Sequence, residues 1–322
     1  MNVRQRPWAL LLALLAALSL VAAACGDDDG SSSDASDDSV DMTELSLGGP
    51  ADCPENPGCI PGLLDVYGVD LSENFVALDG GGPLTVEALN GGEVDIAVLF
   101  STNPVVGEND WVVLADPEGL VKADNIIPVM SDELVAAYPD LEATSDEISG
   151  VLNTETLTEL NRLVDVELLD AEEVAATFLE NEDLLEVDAE APEGGPTIVL
   201  GAQDFTESYV LVQVYGQALE ARGYPVEYQD LGGYREIVFA SFESGDINYT
   251  LEYAASALEF LNENAGEATA DAEETSELLR GYLEPLGLIA SAPSDAVDQN
   301  IFVVTQATSD EYGLTSLADL AG

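Results

Sequence analysis

Gly92-Glu93-Val94-Asp95-Ile96-Ala97-Val98-Leu99-Phe100 and Gly245-Asp246-Ile247-Asn248-Tyr249-Thr250-Leu251-Glu252-Tyr253 read as variants of one segment. Each opens on a Gly and an acid, which suit the turn leaving a helix, and continues as an apolar strand. Each ends in an aromatic followed by small or hydroxyl residues, Ser101-Thr102 in one and Ala254-Ala255-Ser256 in the other. The offset is 245 − 92 = 153 residues. A helix, a buried strand and a terminal aromatic, occurring twice, predict two similar α/β lobes that present aromatics to a shared crevice. A chance likeness between two core strands is the competing reading.

Around these two segments the chain alternates. Residues 45–47, 75–78, 94–100 and 111–114 read as strands, with helices near 61–67 and 84–90. Residues 131–185 read as a run of helices, because Leu and Val recur at three- and four-residue spacing within 154–164 and 171–179. The acids, Pro and Gly of 187–196 make a linker. Alternation then resumes, with strands at 197–201 and 226–231, helices at 207–222 and 234–243, an extended segment at 300–305 and a short final helix at 316–321.

The amino terminus carries an address. Arg4 and Arg6 precede an apolar run over 9–21, and Ala22-Ala23-Ala24 stands directly before Cys25. Residues 1–24 are similar to a bacterial lipoprotein signal, with Ala22 where Leu is usual, so an ordinary secretory signal is the alternative. Residues 25–42 are too rich in Gly, Asp and Ser to pack and read as a flexible tether. Acyl chains on Cys25 would hold the protein at the outer face of a membrane. Cys53 and Cys59 lie close together in a Pro-rich loop and predict a small disulfide staple in an oxidising compartment.

Composition then excludes whole classes. There are 64 acids against 7 bases, a formal net charge of −57. Without a basic footprint the chain has no means of neutralising phosphates, so nucleic acid is not a partner. It contains no His, so neither a metal site nor a His-dependent enzyme is expected, and no cofactor is implied. The spread of acids predicts a solvated surface, and it makes any base beside a ligand site conspicuous.

Several longer stretches carry a family likeness. Gly48-Gly49-Pro50 through Cys53-Pro54-Glu55-Asn56-Pro57-Gly58-Cys59 to Val66-Tyr67-Gly68 resembles a loop in the substrate-binding proteins of glycine betaine, choline and carnitine ABC importers. The same holds for Gly81-Gly82-Pro83-Leu84-Thr85, for Ala123-Asp124-Asn125-Ile126-Ile127-Pro128-Val129, for residues 157–166 and for Gly201-Ala202-Gln203-Asp204-Phe205-Thr206-Glu207-Ser208. The resemblance covers nearly all of 44–322. It implies an α/β, two-lobed, type II periplasmic-binding-protein-like fold with two hinge crossings. The order differs from the family's, so the chain reads as circularly permuted. Lobe two occupies 43–123, a crossing and helical return 124–186, a linker joining the ancestral termini 187–196, lobe one 197–303, and a second crossing with the final helix 304–322. A truncated piece of two tandem domains is the rival.

The resemblance also implies a site. A quaternary ammonium has no N–H to donate and is held by aromatic faces and nearby negative charge. Tyr253 and Phe100 match positions of the family's tyrosine box, the second as Phe, and Asp298 matches a carboxylate near the ammonium. Ser256 stands at a hydroxyl-donor position, and Gln203 at one that is Lys in some betaine binders and amide in choline binders. Two further box positions are Asn300 and Asp124, and Asn56 stands where an Arg can grip a carboxylate. Loss of those bases leans toward choline-like cations or a broader osmolyte. Arg235, beside Tyr234, is the base that could restore an anion grip. The implied function is capture of a small osmolyte at the extracytoplasmic face by cleft closure about 124–128 and Thr305, and delivery to an ABC permease. A surface sensor with the same fold is the alternative.

Overall fold

The computed structural model describes residues 42–51, 53–185, 194–233 and 235–322. The signal, Cys25, nearly all of the tether, most of the linker and Tyr234 lie outside the described residues.

Two five-stranded sheets are built to one plan. The first has the order β2-β1-β3-β10-β4, from β1 (Leu47–Gly49), β2 (Phe75–Ala77), β3 (Ile96–Phe100), β4 (Trp111–Val113) and β10 (Asn300–Thr305). The second has the order β7-β6-β8-β5-β9, from β5 (Ile126–Ser131), β6 (Ile198–Ala202), β7 (Val226–Asp230), β8 (Tyr249–Tyr253) and β9 (Leu288–Ala290). In each, three strands run parallel, and a strand arriving from the far part of the chain pairs antiparallel with the third.

The repeat seen in the sequence is a repeat of register. Leu47 pairs with Ile96 and Leu200 with Tyr249, so 200 − 47 and 249 − 96 both give 153. The neighbouring strand follows, since Leu47 pairs with Phe75 and Leu200 with Tyr228, and 228 − 75 is again 153. Even a side-chain tie recurs: the Ser46 amide donates to Asp95 Oδ2 at 2.8 Å, and the Val199 amide to Asn248 Oδ1 at 2.7 Å. Glycine recurs where the backbone is crowded. A Cβ on Gly48 would meet Leu78 at 2.6 Å and the methyls of Val94, and one on Gly201 would meet Ile247 at 2.8 Å and Leu231 at 3.0 Å.

Each sheet is covered on both faces, which is why its central strands read as unbroken apolar runs. Along β3, Ile96 and Val98 enter a core with Leu47, Phe302 and Leu317, while Ala97 and Leu99 enter another with Ala88 and Leu89. Along β8, Tyr249, Leu251 and Tyr253 join the large core under the helix Thr206–Ala221. From β5, Ile127 and Val129 face the opposite core, filled by Leu258, Leu279 and Leu283.

Three features differ from the sequence reading. β10 belongs wholly to the first sheet, because Asn300 pairs with Phe100 and Val304 with Ile96. The return crossing therefore precedes Asn300 and does not lie at 303–304 or at Thr305. Residues 126–131 form a strand where a crossing and then helix were expected. The helices Ala254–Leu261, Ala272–Leu283 and Gln306–Tyr312 and the strand β9 occupy stretches for which the sequence predicts no element. The staple between Cys53 and Cys59 is formed.

The short 3-10 turn Leu317–Ala321 closes the chain with a capping box on Ser316 and Asp319. Its Leu317 and Leu320 are buried in the first sheet's core, against which Met42 also packs.

Replacing Gly201 by Val should lower the unfolding free energy by about 2 kcal/mol, since Ile247 and Leu231 are held by the surrounding core and a branched side chain must displace them. Urea denaturation measures this, and an unchanged midpoint would show that the close approach is compressible.

Candidate functional site: the seam between the sheets

The two crossing segments run side by side. The Asp298 amide donates to the Asp124 carbonyl at 3.1 Å and the Ile126 amide to the Ala296 carbonyl at 2.9 Å, with Asn125 bridged to Val297. Residues just beyond β3 clasp this pair from the first sheet. The Ser101 amide donates to the Gln299 carbonyl at 2.9 Å, and Ser101 Oγ donates to the Val297 carbonyl at 3.0 Å. Of the expected site residues, Asp124, Gln203, Tyr253, Ser256 and Asp298 lie along this seam, close to the carboxyl ends of β6 and β8, and Phe100 ends β3, the ends at which open α/β sheets place their ligands.

One group centres on Glu207. Glu207, in the first turn of the helix Thr206–Ala221, is buried. Its carboxylate accepts from the Tyr253 hydroxyl at 2.7 Å, from Asn161 Nδ2 at 2.6 Å and from the Thr102 side chain. Thr102 comes from the first sheet, and its amide also donates to Asp298 Oδ1 at 3.3 Å. Burial pushes the Glu207 carboxyl up despite these donors. Burial and then the charge of Glu207 push Asp298 well above the usual carboxylate range. Tyr253, only 6% exposed, has its phenol raised by burial and by Glu207 and Asp298. Its ring lies 6.0 Å from that of Phe205. Tyr253 is thus an interior side chain with its hydroxyl on Glu207, whereas Phe100 is 41% exposed.

A second group carries the seam's basic residue. Arg235 Nε and Nη2 both lie 3.0 Å from Glu252 Oε2. Burial works against the guanidinium's charge, but Glu252 and Asp124 outweigh it and hold Arg235 above its ordinary value. Asp124 accepts from the Ser256 amide at 2.9 Å and the Ser256 hydroxyl at 2.5 Å. Burial pushes Asp124 up against those two bonds and the charge of Arg235. Gln203, at the end of β6, is 3% exposed and its amide nitrogen Nε2 has no hydrogen-bond partner.

On the first sheet, Asn300 Nδ2 donates to the Gly58 carbonyl at 3.3 Å, and the Gly58 amide donates to Asn56 Oδ1 at 2.8 Å. Asn56 and Asn300 are therefore drawn together by the stapled loop, with Asn300 level with Phe100 in the sheet. Sequence reasoning missed Glu207, Glu252, Asn161 and Thr102. Glu207 and Glu252 carry no local mark that separates them from the chain's other acids, and only their burial sets them apart. Two surface hollows border β7 on the outer flank and are lined by none of the expected residues. Among the described residues no group of three or more acids or cysteines is placed to hold a metal ion, and no helix is long and apolar enough to cross a membrane.

The sequence profile of one family, the substrate-binding domain of ABC-type glycine betaine transport systems, matches residues 31–181 and 196–322. The chain belongs to this family. Its members are binding proteins, not enzymes, and the two sheets with their paired crossings are the expected two-lobed α/β fold. The chain is 27% identical over 139 residues to the glycine betaine-binding protein YehZ of Escherichia coli, covering 42% of this chain and 46% of that protein. It is 30% identical over 146 residues to a glycine-betaine-binding protein of Pseudomonas aeruginosa, covering 44% and 46%. It is 25% identical over 103 residues to the carnitine transport binding protein OpuCC of Listeria monocytogenes, covering 32% and 33%. The matched stretches thus span from a third to about half of these relatives' length. Among solved structures, apo YehZ aligns over 86% of this chain and 91% of that one, with 12% identity and a TM-score of 0.38.

The raised carboxyls give a pH signature. A carboxyl whose pKa is raised in the folded state binds its proton more tightly there than in the unfolded chain. The fold therefore loses stability as pH climbs from the ordinary carboxylate value, about 4, to the raised one. Surface acids lose their protons over the same range, so the variant difference is the measurement. Asp298→Asn should show a smaller drop in Tm than the parent as the pH is raised above the ordinary carboxylate range. Parallel Tm curves would mean that Asp298 does not hold a proton in the fold.

Proposed function

We propose that this protein captures a small quaternary-ammonium osmolyte, choline or glycine betaine or a close relative, and delivers it to an ABC permease. The carrying observation is the set of carboxyl groups at the seam: Glu207, Asp298, Asp124 and Glu252 are gathered there against one guanidinium, Arg235, and a cation arriving beside them favours their ionised form. A cation without N–H groups is held by such charge together with aromatic faces, and Tyr253, Phe205 and Phe100 supply aromatics at the same strand and helix ends. The names of the relatives point the same way, since betaine and carnitine share a trimethylammonium group. Closure would draw the sheets together about the paired crossings near 124–125 and 297–298.

Calorimetric titration with choline and betaine tests the pocket. Tyr253→Ala should weaken the tighter ligand at least about tenfold, with Tyr253→Phe intermediate, because the Phe variant keeps the ring and frees Glu207. An unchanged affinity in the Ala variant would remove Tyr253 from the site.

We also propose that the unusual order is a circular permutation and that Cys25 carries a lipid anchor on the extracytoplasmic face. Support for the permutation comes from the closing turn, which packs beside Met42–Glu44, and from the break in the family match between 181 and 196. Intact mass spectrometry of the native protein, extracted from its source membranes, tests both. A chain from acylated Cys25 to Gly322 is expected. A much longer polypeptide would mean tandem domains, and a free amino terminus after cleavage would mean plain secretion.

A further inference from the structure

Glu252 and Gln203 hold unspent hydrogen-bonding capacity on neighbouring strands. The Glu252 side chain is fully buried. Its Oε2 takes both nitrogens of Arg235 and lies 3.3 Å from the Tyr253 amide, while its Oε1 has no partner. Gln203 is equally enclosed. Its backbone amide donates to Ser208 Oγ at 2.9 Å, and its side-chain Nε2 has no partner. The parallel register of β6 and β8 sets Leu200 against Tyr249 and Gly201 against Thr250. Two residues further on, Gln203 comes level with Glu252 on the same face, since side chains two apart in a strand share a face. Two buried groups without partners, a donor just past the end of β6 and an acceptor on β8, thus fall at neighbouring register positions, and buried polar groups are normally paired.

We propose that this end of the seam reads a neutral group able both to accept and to donate a hydrogen bond, such as an alcohol hydroxyl, and turns away a carboxylate. The inference rests on the capture reading above and narrows it to hydroxylated cations. A hydroxyl oxygen accepts from Gln203 Nε2 while its proton goes to Glu252 Oε1. A carboxylate can only accept, so it would face the lone pairs of Glu252. Arg235, which would draw an anion in, is instead bound to Glu252 with Asp124 close by. Glu252 therefore acts as the specificity-determining residue by neutralising the guanidinium and presenting its second oxygen.

The test is calorimetric titration of the intact protein with three ligands: choline, ethyltrimethylammonium, which lacks the hydroxyl, and glycine betaine, which carries a carboxylate. Choline should bind at least about tenfold more tightly than either, because a site built around a hydroxyl rejects an analogue that leaves its polar groups unpaired. In Gln203→Leu the difference between choline and ethyltrimethylammonium should vanish. In Glu252→Gln, Arg235 loses its counter-charge and betaine should gain affinity, an outcome that a damaged fold cannot produce. If betaine or ethyltrimethylammonium binds the parent as tightly as choline, the specificity proposal is overturned while the capture reading stands. If Gln203→Leu leaves the discrimination intact, the proposal likewise fails, whether or not Glu252→Gln folds. If none of the three ligands binds, the capture reading fails and this inference falls with it.

Discussion

The pairing of the two crossing segments, 124–126 with 296–298, is the constraint on which everything else depends. It is made of backbone hydrogen bonds between stretches 170 residues or more apart in the chain, closed by the Asp298 amide on the Asp124 carbonyl. Because each crossing continues into the strand that the other sheet needs, β5 on one side and β10 on the other, neither sheet is complete without it. The same pairing fixes where side chains meet. Asp124 and Asp298 are brought to one place by their own backbones, and Ser256, Thr102 and Glu207 then gather around them.

That gathering has an energetic cost. Buried carboxylates are disfavoured unless they find donors or a proton. Glu207 finds three donors, from Tyr253, Asn161 and Thr102, and Thr102 serves Asp298 as well. One threonine of the first sheet is thus shared by two carboxyl groups standing against the second. Glu252 is balanced differently, by a guanidinium, and only on one of its oxygens. Thr102 and Arg235 therefore stabilise charge by two distinct means within one seam.

Much of this architecture was legible in the sequence because buried parallel strands are written as apolar runs, and here one run was written twice. The likeness of 92–100 to 245–253 led directly to β3 and β8, and the offset of 153 extends to their partners β1 and β6. β5 escaped because Pro128 sits in its middle, paired with Leu251, and proline argues against an internal strand. β10 was seen as extended but assigned to the wrong sheet, since an antiparallel partner 200 residues away leaves no local mark. At the site, Tyr253, Phe100 and Asp298 stood out through family likeness. Glu207 and Glu252 did not, because in a chain with 64 acids only burial distinguishes an interior carboxylate from a solvating one. Phe100 and Tyr253, expected as matching walls, differ in the structure because β8 is roofed by the long helix and the end of β3 is not.

The basic side chains among the described residues are all engaged within the fold. Arg162 bonds Glu159 and Glu167, Arg222 bonds Glu147 and two carbonyls, and Arg280 reaches the carbonyls of Ala290 and Ser291. Lys122 caps the Gly119 carbonyl, and Arg235 is taken by Glu252. With 64 acids against 7 bases the chain cannot balance its own charge, so the counterions of this polyanion come from solution and form an atmosphere around it. A cation that enters the seam has to displace part of that atmosphere. If the ligand is the cation proposed above, its binding returns another ion to the medium, and the apparent affinity falls as the salt concentration rises.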